Sequence, residues 1–209
     1  MAVIINGSNT PTAGGIIYGD GSEYDVTAAG TSGQLLKSNG ASAPTWVTSS
    51  SGLTLGTPVA TTSGTSVTFT GIPAGTKQVI VSFSRVSIDS TDNIIIRLGT
   101  SAGVETTGYQ SCGARFSGGS NNLIASTSQF VIVTSVAGQT LNGSVIFTLE
   151  NASANTFAAS GVLGTRDTDD LVYLVSGAKS LAGVLDRVQI TTAAGTASFD
   201  LGEVNIAYA

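Results

Sequence analysis

Histidine is absent from the 209 residues, and cysteine and tryptophan occur once each, at Cys112 and Trp46. Without imidazole there is no Ser/His/Asp or Cys/His arrangement, and the commonest metal ligand is missing. A single cysteine excludes an intrachain disulfide framework, so packing, hydrogen bonding or assembly must hold the fold. Lys and Arg total 8 against 13 Asp and Glu, for a net charge of -5. Nucleic acid and anionic membrane surfaces both select clustered Lys and Arg, and so few cations make neither an expected partner. No apolar segment approaches the roughly 20 residues of a membrane-spanning helix. The start, MAVIINGSNT, has neither the basic head nor the long apolar core of a signal peptide, so the expectation is synthesis and residence in the cytoplasm.

What is present is apolar and small. Hydrophobic residues make up 41 % of the chain, charged residues 10 %, and there are 27 glycines. Together with Ser, Thr and Asn this is the make-up of a turn-rich β protein. No segment repeats apolar residues at i, i+3, i+4, i+7 long enough for a helix. One domain plus an extension fits the length.

Residues 1–50 differ from the rest. AVIIN and GGIIY are short strand candidates among Gly, Ser, Thr and Asn, with little material for a core. From Leu53 onward, apolar runs recur about every ten residues between Gly, Asn, Ser or Pro, the pattern of a sandwich or barrel. Strands are expected near 65–70, 77–86, 93–98, 123–136 with a break, 143–150, 156–163, 171–175, 185–191 and 196–208. QVIVSFSRV alternates and should pack on one face only, whereas NIIIRL and LVYLV are apolar throughout and should be central or covered. Pro73 and Gly75 mark a turn before Lys77.

The segment GQLLKSNGASAPTWV, residues 33–47, surrounds the lone tryptophan with residues that bury almost nothing. Asn39-Gly40 signals a hairpin with a type I′ turn, which needs positive φ at both central positions. Pro44 confines the second arm to an edge or an irregular stretch. Leu35, Leu36, Trp46 and Val47 are its apolar content, and an isolated two-stranded hairpin is marginal in water. Two partners for them stay open: the downstream domain, or the same hairpin in other copies of the chain.

This segment resembles one that recurs in bacteriophage tail fibres and related virion proteins. The match runs through Gly33, Gln34, Leu35, Leu36, Ser38, Asn39, Gly40, Ala43, Pro44, Thr45 and Trp46. Residues 70–109 and the ending DRVQITTAAGTASFDLGEVNIAYA are similar to the C-terminal β-domains of phage fibre-like proteins, so the resemblance covers about half the chain. It implies a homotrimer in the virion, made in the host cytoplasm. An N-terminal anchor, residues 1–50, would hold other virion proteins of tail or capsid. An antiparallel, jelly-roll-like β-sandwich, residues 51–209, would project outward. A tail fibre or receptor-binding component is the leading expectation, a capsid decoration protein or head fibre the alternative, and a polysaccharide depolymerase a distant third. The chain has no extended shaft such as long fibres carry.

A fibre tip needs a glycan-contact surface, usually an aromatic face with polar neighbours. The glycine-rich stretch 106–122 reads as a loop, and its Tyr109, Arg115, Phe116 and Asn121 are the candidates; packing of Tyr109 and Phe116 beneath the loop or between subunits is the competing reading. A two-carboxylate hydrolase would draw on Asp167, Asp169 and Asp170, or on Asp89 and Asp92, with Glu105, Asp186, Asp200 and Glu203 more isolated. Such Asp/Ser/Thr clusters between strands are most often turns whose side chains cap the backbone, and neither matches a calcium loop. No enzyme, metal or cofactor is expected, and Cys112 is read as a small buried residue or an incidental thiol.

Overall fold

The structure is a computed structural model that describes residues 12–49, 52–119, 121–134, 137–166 and 170–209. The expected AVIIN strand, Asp167 and Asp169 lie outside the described residues. The chain divides into two compact units at Gly52/Leu53, and every described element is a strand or turn. The all-β reading holds.

The N-terminal unit consists of two separate two-stranded antiparallel sheets. One pairs β1 (Ile17–Gly19) with β2 (Tyr24–Val26), and the other pairs β3 (Gln34–Asn39) with β4 (Ser42–Thr48).

The C-terminal unit contains β5 (Thr54–Leu55), β6 (Val59–Ala60), β7 (Ser66–Phe69), β8 (Gln78–Ile88), β9 (Ile94–Thr100), β10 (Gly103–Val104), β11 (Tyr109–Phe116), β12 (Asn121–Ser126) and β13 (Phe130–Ile132). It continues with β14 (Leu141–Asn151), β15 (Thr156–Arg166), β16 (Asp170–Ser180), β17 (Arg187–Thr192) and β18 (Phe199–Tyr208). They form two antiparallel sheets. The nine-stranded one runs β12-β11-β16-β15-β14-β8-β18-β5, with β6 also on β18. The five-stranded one runs β10-β9-β17-β7, with β13 also on β9.

One hydrophobic cluster draws on both sheets. The alternation of QVIVSFSRV is the reason β8 contributes Val79, Val81 and Phe83 inward while Ser82 and Ser84 stay exposed. Phe130 of the smaller sheet lies 5.2 Å from Phe147 of the larger and 5.1 Å, edge-on, from Tyr109. That edge-to-face geometry brings the ring's positive rim to its neighbour's negative face.

NIIIRL is covered on both sides, as expected: Ile94, Ile95 and Ile96 are all fully buried. The cover on the second side comes from Val131 and Val133, with Ile124 packed against them. Close approach there depends on Gly113, where a Cβ would lie 2.3 Å from the Val131 carbonyl oxygen. The turn after Pro73 also forms as read, with Thr76 N–H donating to the Pro73 carbonyl and Gly75 at a φ of +89°.

Two expectations are corrected, and one is given its place. Stretch 106–122 is mostly strand: Tyr109–Phe116 pairs along its whole length with β16 on one side and, over Ser111–Phe116, with β12 on the other. Its glycines signalled a loop, yet two ladders override that local preference. The expected break in the run 123–136 falls at Thr127–Gln129 and separates β12 of the large sheet from β13 of the small one. LVYLV is central, between β11 and β15, but only Leu171, Tyr173 and Val175 face the core. Val172 and Leu174 are exposed, so its uniform apolarity does not reflect cover on both faces.

Candidate functional site

Nearly every residue that defines the segment 33–47 has a local task. Gly33, at a φ of +85°, turns the chain, with Gln34 N–H donating to the Thr31 carbonyl. The Gln34 side chain returns the bond by accepting from Thr31 N–H at 2.8 Å. At the far end the hairpin turns through Gly40 and Ala41, with positive φ at Gly40 alone, at +70°. This is the pattern of a II′ turn, in which only the first central residue needs positive φ, and it corrects the expected I′ turn centred on Asn39-Gly40. Asn39 instead ends β3, and its side-chain amide donates to the Ala43 carbonyl at 2.7 Å and to Thr45 Oγ1 at 3.2 Å. Ser38 Oγ accepts from Gly40 N–H. The ladder slips by one residue between Lys37 and Asn39, and Pro44 sits in that irregular stretch. A proline is tolerated there because it has no ladder N–H to lose.

Trp46 finds its partner inside its own unit. The indole N–H donates to the Ala28 carbonyl at 2.8 Å, and the six-membered ring lies so close to Gly30 that a Cβ there would fall 2.6 Å from Cδ2. Val47 is half-buried beside it. Leu36 faces Trp46 across the ladder and Leu35 faces Val47, yet Leu35 is 58 % exposed and Leu36 42 %. The two leucines, one on each face of the hairpin, are the large apolar side chains of the motif that stay exposed. Ile16, Ile17 and Tyr24 of the same unit are exposed as well.

The four glycan-contact candidates do not converge. Tyr109 is 1 % exposed, so its ring offers no face to a ligand. Its hydroxyl accepts from Leu98 N–H at 2.9 Å and lies 2.9 Å from the Glu105 carbonyl. Burial pushes the phenol up to about 12, against the opposing hydrogen bond from the Leu98 backbone. Lys179 Nζ sits 5.4 Å above the same ring and forms an ion pair with Glu105 at 2.5 Å, with Lys179 almost fully buried. Phe116, at the other end of β11, is about 23 Å away at the usual 3.3 Å rise per residue. Phe116 is exposed and paired with Asn121, while half-buried Arg115, as its chain neighbour, points to the opposite face. Only Phe116 and Asn121 share a surface.

The carboxylates act locally. Asp89 accepts from Ser198 N–H, and Asp92 from Asn93 N–H and Ala194 N–H. Asp186 pairs with Arg187, Asp200 with Ser87, and Glu105 also accepts from Ala182 N–H. Asp170 opens β16 opposite Arg166 in the backbone register of β15, and Glu203 is exposed. Among the described residues no three His, Cys, Asp or Glu side chains gather where they could hold a metal ion. Cys112 is free and half-buried.

Sequence reasoning missed a surface rather than a residue. Leu123, Val162, Val172 and Leu174 are exposed, and the only signal was that LVYLV carries apolar residues at both parities. No protein-family model, curated protein or solved structure matches the chain.

Proposed function

We propose that this chain is a bacteriophage virion structural protein. In this reading it is a tail fibre or receptor-binding component that assembles as a homotrimer, attaches to the particle through residues 1–50 and presents the C-terminal β-sandwich to the host surface. The observation that carries the reading is the exposure of Leu35 and Leu36 in a hairpin whose other motif residues are all engaged. Two-stranded sheets are marginal alone, and a pair of leucines held rigidly in water contributes only once another surface covers it. Copies of the same hairpin around an axis supply such a surface, which is why the motif's resemblance to trimeric virion proteins and the local geometry agree.

The test is solution mass by light scattering after size exclusion, for the full chain and for Leu35→Ser with Leu36→Ser. A mass three times that of the 20.8 kDa chain, falling in the double variant, supports the reading. A monomer in both, at every concentration tried, overturns the trimer and with it the main physical argument for a fibre.

A further inference from the structure

We propose that the outer face of the nine-stranded sheet, at its β12-β11-β16-β15 end, is a contact surface for a second copy of this chain. The proposal rests on the assembly reading above and adds to it a contact that does not involve Leu35 or Leu36.

The face is built by register. Leu123 lies opposite Ala114, Ala114 opposite Leu174, and Leu174 opposite Val162, so a single row crosses four strands. Phe116 and Val172 form the next row two residues on. The five large side chains are between 39 % and 65 % exposed, and Ala114 keeps the middle of the row low. Directly opposed residues point to the same side of a sheet, so these side chains make one continuous patch.

Its size and chemistry say what fits. Four strands about 4.8 Å apart and two apolar rows, each two residue steps of about 3.3 Å, give roughly 250 Å². That is about a third of the 800 Å² or so that each partner contributes to a standard stable contact, an apolar centre that the polar rows around it complete as rim. Serines and amides supply that rim: Ser160 and Ser176 exposed on one side, Gln110 and Asn121 at its margins. Over these rows no described side chain is charged, and Asp170 stands at the end.

Charge then selects the occupant. A chain of net charge -5 repels its own copies wherever acidic surface meets acidic surface, so copies meet best on a neutral face. A basic partner would be drawn to the carboxylates instead. Where this face turns toward the symmetry axis of an assembly, the same patch of every copy lines that axis, and neutral apolar side chains meet there without charge repulsion.

Cys112 provides a native probe. It lies two residues from Ala114 on β11, on the same side of the sheet, and it is the only thiol in the chain. The experiment uses the full chain and the variant Val162→Arg with Leu174→Arg, both exposed positions, with thermal unfolding to verify the fold. Solution mass and the rate of maleimide reaction at Cys112 are measured in each. The expected result is an oligomer for the wild type, a mass at least halved in the arginine variant, and maleimide labelling at least tenfold faster once the face is uncovered. An unchanged mass and labelling rate in that variant, with Leu35→Ser/Leu36→Ser still dissociating the wild-type assembly, overturns this surface and leaves the fibre reading standing. A wild type that is monomeric, with Cys112 already labelling at the rate of the arginine variant, overturns both. That second pattern is also what a different virion protein as occupant would produce. If the arginine variant fails to fold, Val162→Thr with Leu174→Thr repeats the measurement with residues suited to a strand.

Discussion

Trp46 and Gly30 touch with no room for a methyl group between them: a Cβ on residue 30 would stand within 3 Å of three ring atoms. The indole N–H is anchored two residues earlier, on the Ala28 carbonyl. Because the chain has a single tryptophan, fluorescence excited beyond the absorption of its tyrosines reports on the surroundings of Trp46 alone.

Gly30→Ala should therefore displace the ring. The expected outcome is a red-shifted emission maximum and faster acrylamide quenching, as Trp46 gains water, with the C-terminal unit's unfolding unchanged. An emission spectrum identical to the wild type would show that residue 30 has room the geometry denies it.

A second glycine marks the point where β11 passes over the smaller sheet. Gly113→Ala places a methyl group 2.3 Å from a backbone carbonyl and 3.0 Å from a Val133 methyl. Overpacking against backbone that cannot swing aside costs about 1–3 kcal/mol, and chemical denaturation should read a loss in that range.

The buried phenol of Tyr109 gives a pH dependence with a defined sign. Its folded value is raised to about 12, while an unfolded tyrosine ionises near the ordinary 10.0. Below pH 10 both states hold the proton and the stabilisation is complete. Between pH 10 and 12 the unfolded state releases its proton and the folded state keeps it, so stability falls by about 2–3 kcal/mol as pH rises across that window. Denaturation midpoints measured from pH 9 to 12 should decline in the wild type and decline less in Tyr109→Phe.

The ion pair of Lys179 and Glu105 beside that ring is asymmetric to mutation. Lys179→Ala strips a partly buried carboxylate of its cation and should cost about 3–5 kcal/mol, whereas Lys179→Met with Glu105→Leu removes both charges and should recover much of that loss. Equal destabilisation by the single and double variants in urea unfolding would contradict this account.

Much was determined by the sequence alone. Composition and period-two patterning are enough for the all-β class, because burial of one strand face imposes alternation on any such chain, and β8 follows it from Gln78 to Ser84 before Arg85, at a φ of +54°, breaks it. Short-range chemistry was legible too: the turn at Pro73–Thr76 and a hairpin at Asn39 and Gly40 are set by neighbours a few residues away, whereas the backbone groups that Asp89 and Asp92 cap, at Ser198 and Ala194, arrive from distant parts of the chain.

Tertiary structure decided the rest, because it depends on pairings the chain makes over long separations. Gly113 reads as a loop residue until β16, some sixty residues later, pairs with it and β13 passes beneath. Tyr109 reads either as a ligand-facing or as a packed aromatic until Phe130 and Leu98 enclose it. LVYLV reads as buried on both sides, yet only one side meets a second sheet, and nothing local to residues 171–175 says which side that is or that the other stays open. Trp46 reads as lacking a partner because Ala28 and Gly30 present backbone rather than an apolar side chain, and a contact made to backbone leaves no mark in a hydrophobic pattern.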